Sequence, residues 1–396
     1  LARAYYVMSL DRKGFAEKSK EAYERAIDVA RTQAAHKILG GCLVATATLT
    51  DYWLDYRAQA KANLDEADRI AQETGDEGLA VDVATARLSF NFPGEQIVAD
   101  ETVLQRALAL RDPVRLNALY FRMMWSTFST ARLERCVEIC DAGIELAYRI
   151  GTLPVQYPTI KALALMDLGR FGEAWDALGK EIADEAHRFG AALRDYGKLF
   201  YELHVADIEG ALARAPHVID ESKALARAWM LKALSSRLAL AAPSYAGDAA
   251  TIARIEALIA DTGTSPGRLG TAALTLAKGD AKTARESLEQ ADPADLVQFA
   301  AAARLARTVL LANIEAALRN DRAASDHIAA AVKLAREKSM RSQLWRLLGE
   351  QARIAENAGN AEAAVAPRAE AKQILAEIAQ TVPDERQRAN LVEGRE

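Results

Sequence analysis

Apolar residues recur along the chain at intervals of three and four, in blocks separated by short polar breaks. That spacing lines one face of an α-helix. Ala22, Ala26, Ile27 and Ala30 form one such stripe; Leu163, Leu165, Met166 and Leu168 form another. Val, Ile and Thr never gather into alternating runs, so the pattern predicts helices and no strands. The breaks carry turn chemistry: Asp11-Arg12-Lys13-Gly14, Thr74-Gly75-Asp76, Asn91-Phe92-Pro93-Gly94 and Gly169-Arg170-Phe171-Gly172. A Gly just past a helical run, or a Pro-Gly pair, stops a helix.

Between the breaks the helices fall into pairs. The pattern predicts Leu1–Leu10 with Phe15–Arg31, His36–Tyr52 with Tyr56–Glu73, Glu77–Phe90 with Ile97–Leu110, and Pro113–Phe128 with Ala131–Ile150. A fifth pair turns at Gly169, its second helix running from Glu173 to about Phe189 with Ala174, Trp175, Ala177 and Leu178 inward. The sixth is Ala191–Val205 with Asp207–Ile219, interrupted by Pro216; then Glu221–Leu240 reads as one long helix partnered by Asp248–Ile259. Three more pairs turn at Gly279, Asn320 and Gly359. One hairpin cannot bury its own apolar face, so the pairs must stack.

Leu168, Gly169, Phe171 and Ala174 resemble the turn of a tetratricopeptide repeat, and LAKGDAKTARESLEQADP, with its terminal Pro293, resembles it again. The marker turns lie about 40 residues apart rather than the family's 34. The resemblance therefore implies an all-α, right-handed superhelix of about ten degenerate hairpins. A second resemblance lies at the end of the chain. Ile374, Leu375, Ile378, Ala379, Asp384, Arg388 and Leu391 resemble the closing segment of helical arrays in large bacterial signalling proteins, joined to AAA-type ATPase, nucleotide cyclase or transcription-regulator domains. It implies that this region is a sensing or partner-binding arm, with any catalytic parts before Leu1. The start at Leu1, without Met and inside a helical pattern, fits a piece of a longer protein. TGTSPG at Thr262–Gly267 is the most loop-like stretch, and suggests arrays over residues 1–262 and 263–380 with a polar, frayed capping tail over 381–396.

Charge and composition narrow the function. The net charge is −5 and Lys and Arg are spread evenly, so direct nucleic-acid contact is not expected, although a local basic groove can hide inside a net charge. Three cysteines, Cys42, Cys136 and Cys140, form no disulfide framework and fit a reducing cytoplasm. No apolar run is long enough to span a membrane.

Catalytic chemistry is hard to assemble. There is no phosphate-binding loop, no HExxH and no GxSxG. Cys136 and Cys140 share a helix face but lack ligand partners nearby, so they read as packing residues and no metal or cofactor is expected. The chain reads as a non-enzyme, and what remains is binding. The first helices of the pairs carry Asn117, Tyr120, Arg122 and Trp125, then Tyr157 and Lys161, then Arg194, Lys198 and Tyr201, then Arg227. Aromatic and Arg residues anchor interfaces, and basic clusters grip carboxylates or phosphates. The expectation is a scaffold or sensor that binds a protein or peptide and regulates a signalling ATPase, cyclase or transcription regulator. A self-associating adaptor or a small-effector-binding domain is the alternative.

Overall fold

A computed structural model describes residues 15–54, 57–88, 100–179, 188–225, 227–290 and 300–393. The expected first helix, the Pro93-Gly94 turn, Pro293 and most of the predicted extension from Gly179 to Phe189 lie outside the described residues. Twenty α-helices and no strand occur among the described residues. They are α1 (Phe15–Thr32), α2 (His36–Leu54), α3 (Arg57–Thr74), α4 (Glu77–Arg87), α5 (Asp100–Ala109), α6 (Pro113–Ser129), α7 (Leu133–Arg149), α8 (Tyr157–Leu168), α9 (Phe171–Gly179) and α10 (Arg188–His204). Then follow α11 (Ile208–Ala224), α12 (Ala228–Ala241), α13 (Ala249–Thr262), α14 (Gly267–Ala277), α15 (Ala281–Glu289), α16 (Ala300–Ala317), α17 (Asp321–Glu337), α18 (Arg341–Asn357), α19 (Ala361–Ala379) and α20 (Glu385–Glu393). The chain is an all-α helical-hairpin array, as the apolar spacing predicts.

One turn design recurs. A residue with left-handed backbone follows the helix, and the next N–H bonds back to the carbonyl five residues earlier, as in Asp76 to Ala71, Asp207 to Glu202, Asp280 to Thr275 and Asn360 to Ala355. That bond satisfies a carbonyl the helix end leaves open. The same Asp or Asn then caps the following helix: the side chains of Asp76, Asp207, Asp280 and Asn360 accept from the N–H three residues on.

The described residues form two compact units, one within Leu1–Ser126 and Ile139–Pro154, the other within Thr127–Glu138 and Val155–Glu396. In the first, α2 packs against both α1 and α3, and Ile27, Leu39, Leu43, Ile70, Leu79 and Val83 fill the space between them. In the second, hairpins α8–α9, α10–α11, α14–α15, α16–α17 and α18–α19 pack side to side, with many alanines letting the helices approach closely. Across the Thr262–Gly267 loop α12 packs directly on α14, and the Thr262 hydroxyl donates to Ile259 O at 2.7 Å.

The structure departs from three expectations. Pro216 does not end a helix: α11 runs through it, held by buried Ala211, Leu212, Ala215, Val218 and Ile219. The long Glu221–Leu240 helix is instead broken after Ala224, where Leu225 and Arg227 turn into the interior and Arg227 N bonds to Ser222 O at 2.8 Å. The end of the chain is not frayed over its described part. Val382 and Leu391 are fully buried, and residues 385–393 are helical.

The second unit also makes a contact the sequence pattern does not signal. Its last hairpin returns to its first. Gly169, left-handed at φ +80°, leaves room for Ile378 and Arg341, which a Cβ there would meet at 3.0 and 3.4 Å. Phe171 N donates to Thr381 Oγ1 at 3.1 Å, and the Thr381 hydroxyl lies 3.2 Å from Gly169 O. Arg346 of α18 donates to His204 O at 2.5 Å, putting a cation on the open carbonyl end of α10. No described helix is long and apolar enough to cross a membrane.

Candidate functional site

Where the last segment meets α9 and α10, a cavity of about 250 Å³ is lined by Trp175, Tyr201, Pro383, Asp384 and Gln387. The sequence builds each wall locally. Trp175 sits on α9 because Gly169 lets the chain reverse tightly after α8. Tyr201 lies one turn before the end of α10. Pro383 and Asp384 precede α20, and Asp384 caps it by accepting from Gln387 N at 2.8 Å. Asp384-Glu385-Arg386-Gln387 is thus a helix start of the Asp-x-x-Gln kind.

The aromatic wall is rigid. The Tyr201 ring lies 5.0 Å from Trp175, tilted by 51°, and meets Phe171 edge-on at 5.7 Å. Such tilted and edge-on pairs suit the charge distribution of the rings. Tyr201 is fully buried, yet its hydroxyl has no hydrogen-bond partner among the described residues. Burial pushes its phenol pKa well up, and the Asp384 charge adds to this, so the group is a neutral O–H at physiological pH. An incoming polar group could hydrogen-bond this hydroxyl.

The opposite wall is anchored from behind. Asp207, itself the buried cap of α11, takes Arg386 at 2.9 Å and the Gln387 side-chain amide at 3.2 Å. Arg388 folds back onto Val382 O at 2.8 Å. Behind Tyr201, the His204 Nδ1 donates to Phe200 O at 2.8 Å, and its Nε2 faces Asp167 at 3.7 Å. A carbonyl only accepts, so Nδ1 carries the proton.

The residues singled out by sequence fall in both units. In the first, Asn117, Tyr120, Arg122 and Trp125 of α6 are all half-buried. Asn117 and Tyr120 share one stripe, whereas Arg122 lies roughly 140° round the helix from Asn117 at 100° per residue. In the second, Arg194, Lys198 and Tyr201 sit at i, i+4 and i+7 on α10, a single stripe that leads from half-buried cations to the cavity. Lys161 is half-buried on α8, and Tyr157 is buried at its start. Arg227 is buried, with its guanidinium 4.4 Å over the Phe189 ring. Of these, Tyr201 alone lines the cavity. Asp384 and Gln387 were missed as site residues because they lie in a polar stretch; the Asp-x-x-Gln start followed by Leu391 is the signal that marks a docked helix there. Cys136 and Cys140 are both buried, and among the described residues no three His, Cys, Asp or Glu gather to hold a metal ion.

Architecture and cavity together define a helical-repeat protein whose described residues include an aromatic-walled recess. No family model matches the chain, and no curated protein matches its sequence. Among solved structures, the human IFIT1 dimer with m7Gppp-AAAA aligns at TM-score 0.46 and 14% identity, covering 96% of this chain and 89% of that one. A monomeric IFIT1 mutant with Gppp-AAAA aligns at TM-score 0.45 and 14% identity, covering 93% and 89%. At this level the likeness transfers no ligand to this chain. Net charge does not exclude direct nucleic-acid contact by this chain, so that expectation is withdrawn; the aligned IFIT1 structures are those solved with m7Gppp-AAAA or Gppp-AAAA. The exclusion fails because net charge averages over the whole surface, whereas a phosphate chain meets only the groups lining one groove.

Proposed function

We propose that this chain is a binding scaffold, and that the Trp175–Tyr201 cavity receives one group of a protein or peptide partner. The observation that carries this reading is the buried Tyr201 hydroxyl without a partner, set in an aromatic wall opposite a separately anchored segment. A cavity of about 250 Å³ is smaller than the usual small-molecule pocket of roughly 300–1,000 Å³ and suits one side chain. The Arg194–Lys198 stripe beside it offers an acidic flank of the same peptide a place to lie. The regulatory setting, an arm attached to an ATPase, cyclase or transcription regulator, belongs to the same proposal. Its support is the C-terminal resemblance, whose Asp384 and Arg388 order the turn before the last helix and whose Leu391 is buried.

The test of binding is a random-sequence peptide array probed with the purified full chain. A retained set of peptides whose signal falls about tenfold or more in Trp175→Ala supports the reading. The same set bound equally by Trp175→Ala overturns it. The regulatory setting is tested by the mass of the native protein that an antibody to this region detects. A species far above 43.0 kDa supports it, and one near that mass counts against it.

A further inference from the structure

We propose that the group taken by this cavity is an organic cation, the ammonium or guanidinium head of a Lys or Arg side chain. This rests on the reading of the cavity as the binding site. Asp384 spends Oδ1 on Gln387 N, and its Oδ2 remains an open acceptor. Gln387 spends its side-chain N–H on Asp207, so its Oε1 remains, again an acceptor. Tyr201 contributes a hydroxyl oxygen with nothing bound to it. Among the described residues no Lys or Arg lines the cavity, and the adjacent Arg386 is already held by Asp207.

The remaining wall is the half-buried Trp175 ring, backed by the fully buried Tyr201 ring 5.0 Å away. Aromatic faces attract a cation through their quadrupole, most strongly where water is excluded, and Trp does so best. The Trp175 face beside one carboxylate and two neutral oxygen acceptors suits a group that is all donors. Lys offers three N–H donors and Arg five, and neither accepts. A carboxylate or phosphate would meet Asp384 with no cation to offset the repulsion. An uncharged apolar chain would leave the oxygens without donors, at a cost of about 1–3 kcal/mol for each that is buried.

The test uses the full chain with tryptophan side chains isotopically labelled, and reads the Trp175 indole signal by NMR, assigned with Trp175→Phe. The probes are the amides of arginine, lysine and trimethyllysine, with norleucine amide and glutamate amide as neutral and anionic controls, all blocked at the amino end. The expected result is a saturable shift with arginine and lysine amides, a weaker one with trimethyllysine amide, which has no N–H to donate, and none with the controls. Asp384→Asn keeps a capping acceptor for Gln387 N but removes the charge, so it should fold as the parent does and bind the cations about tenfold more weakly. Equal response to norleucine, or no effect of Asp384→Asn, overturns the cation assignment while leaving a side-chain pocket in place. Silence to every probe also overturns the cation assignment. The pocket itself then stands or falls on whether Trp175→Ala changes the peptide-array signal.

Discussion

At the scale of the residue, the turns decide the most. Ala34, Arg111, Ala131, Ala206, Arg319 and Ser339 all hold positive φ, where an L side chain crowds its own carbonyl. They tolerate the strain because the helix-end bond and the next cap need that geometry. Ser339 is exposed, so its side chain contributes little packing to weigh against that strain. Ser339→Gly should therefore stabilise the protein by about 0.5–1 kcal/mol in urea unfolding, the relief of left-handed strain less the entropy Gly adds to the unfolded chain. Gly169→Ala should do the opposite. It imposes the same strain and drives a Cβ to 3.0 Å from Ile378. Gly169 is visible in the sequence as a turn; its role as a landing site for Ile378 is not.

At the scale of the element, helix starts behave as acid-sensitive units. The Asp248 carboxyl is held below the usual range mainly by the Thr251 hydroxyl and N–H, and that of Asp280 mainly by the Thr283 N–H. A carboxyl depressed in the folded state adds stability that is complete above its unfolded pKa, about 3.9, and is lost as pH falls through the folded value. Melting temperature should thus drop below about pH 4, and the drop should be shallower in the Asp248→Asn, Asp280→Asn double variant, which caps without titrating. Asp207 does more than either. It caps α11 and anchors α20 through Arg386 and Gln387, so Asp207→Ala should cost about 2 kcal/mol or more, beyond the roughly 1 kcal/mol of a lost cap. The elements themselves were largely legible, because apolar spacing and Gly-Asp or Gly-Asn turns are local. Helix α11 was misjudged for the converse reason. Whether Pro216 ends a helix depends on the packing around it, and that packing comes from other hairpins.

At the scale of the whole molecule, the second unit joins residues some 210 positions apart, Phe171 to Thr381. The cavity exists because of that joint. Leu391 is fully buried beyond it, and Leu391→Ala should cost about 2–5 kcal/mol by leaving a void. The telling readout is distant: hydrogen exchange at the Phe171 amide should speed up in that variant, since its acceptor is Thr381 Oγ1. Unchanged exchange there would mean that the terminal helix and the α8–α9 turn are not held as one unit.

The sequence by itself determined the helical class, most helix boundaries and the capped turns, because each depends on residues within a few positions of one another. It also pointed to Tyr201 as a binding candidate, as an aromatic residue on the first helix of its pair. Only the tertiary structure decided that Trp175, Tyr201, Asp384 and Gln387 face one recess. Those residues come from three segments as far apart as Trp175 and Gln387, and no local periodicity encodes which hairpin the last helix will meet. That is settled by where Val382, Ile378 and Leu391 find apolar surface to bury, and by Asp207 as the one acceptor shared by Arg386 and Gln387.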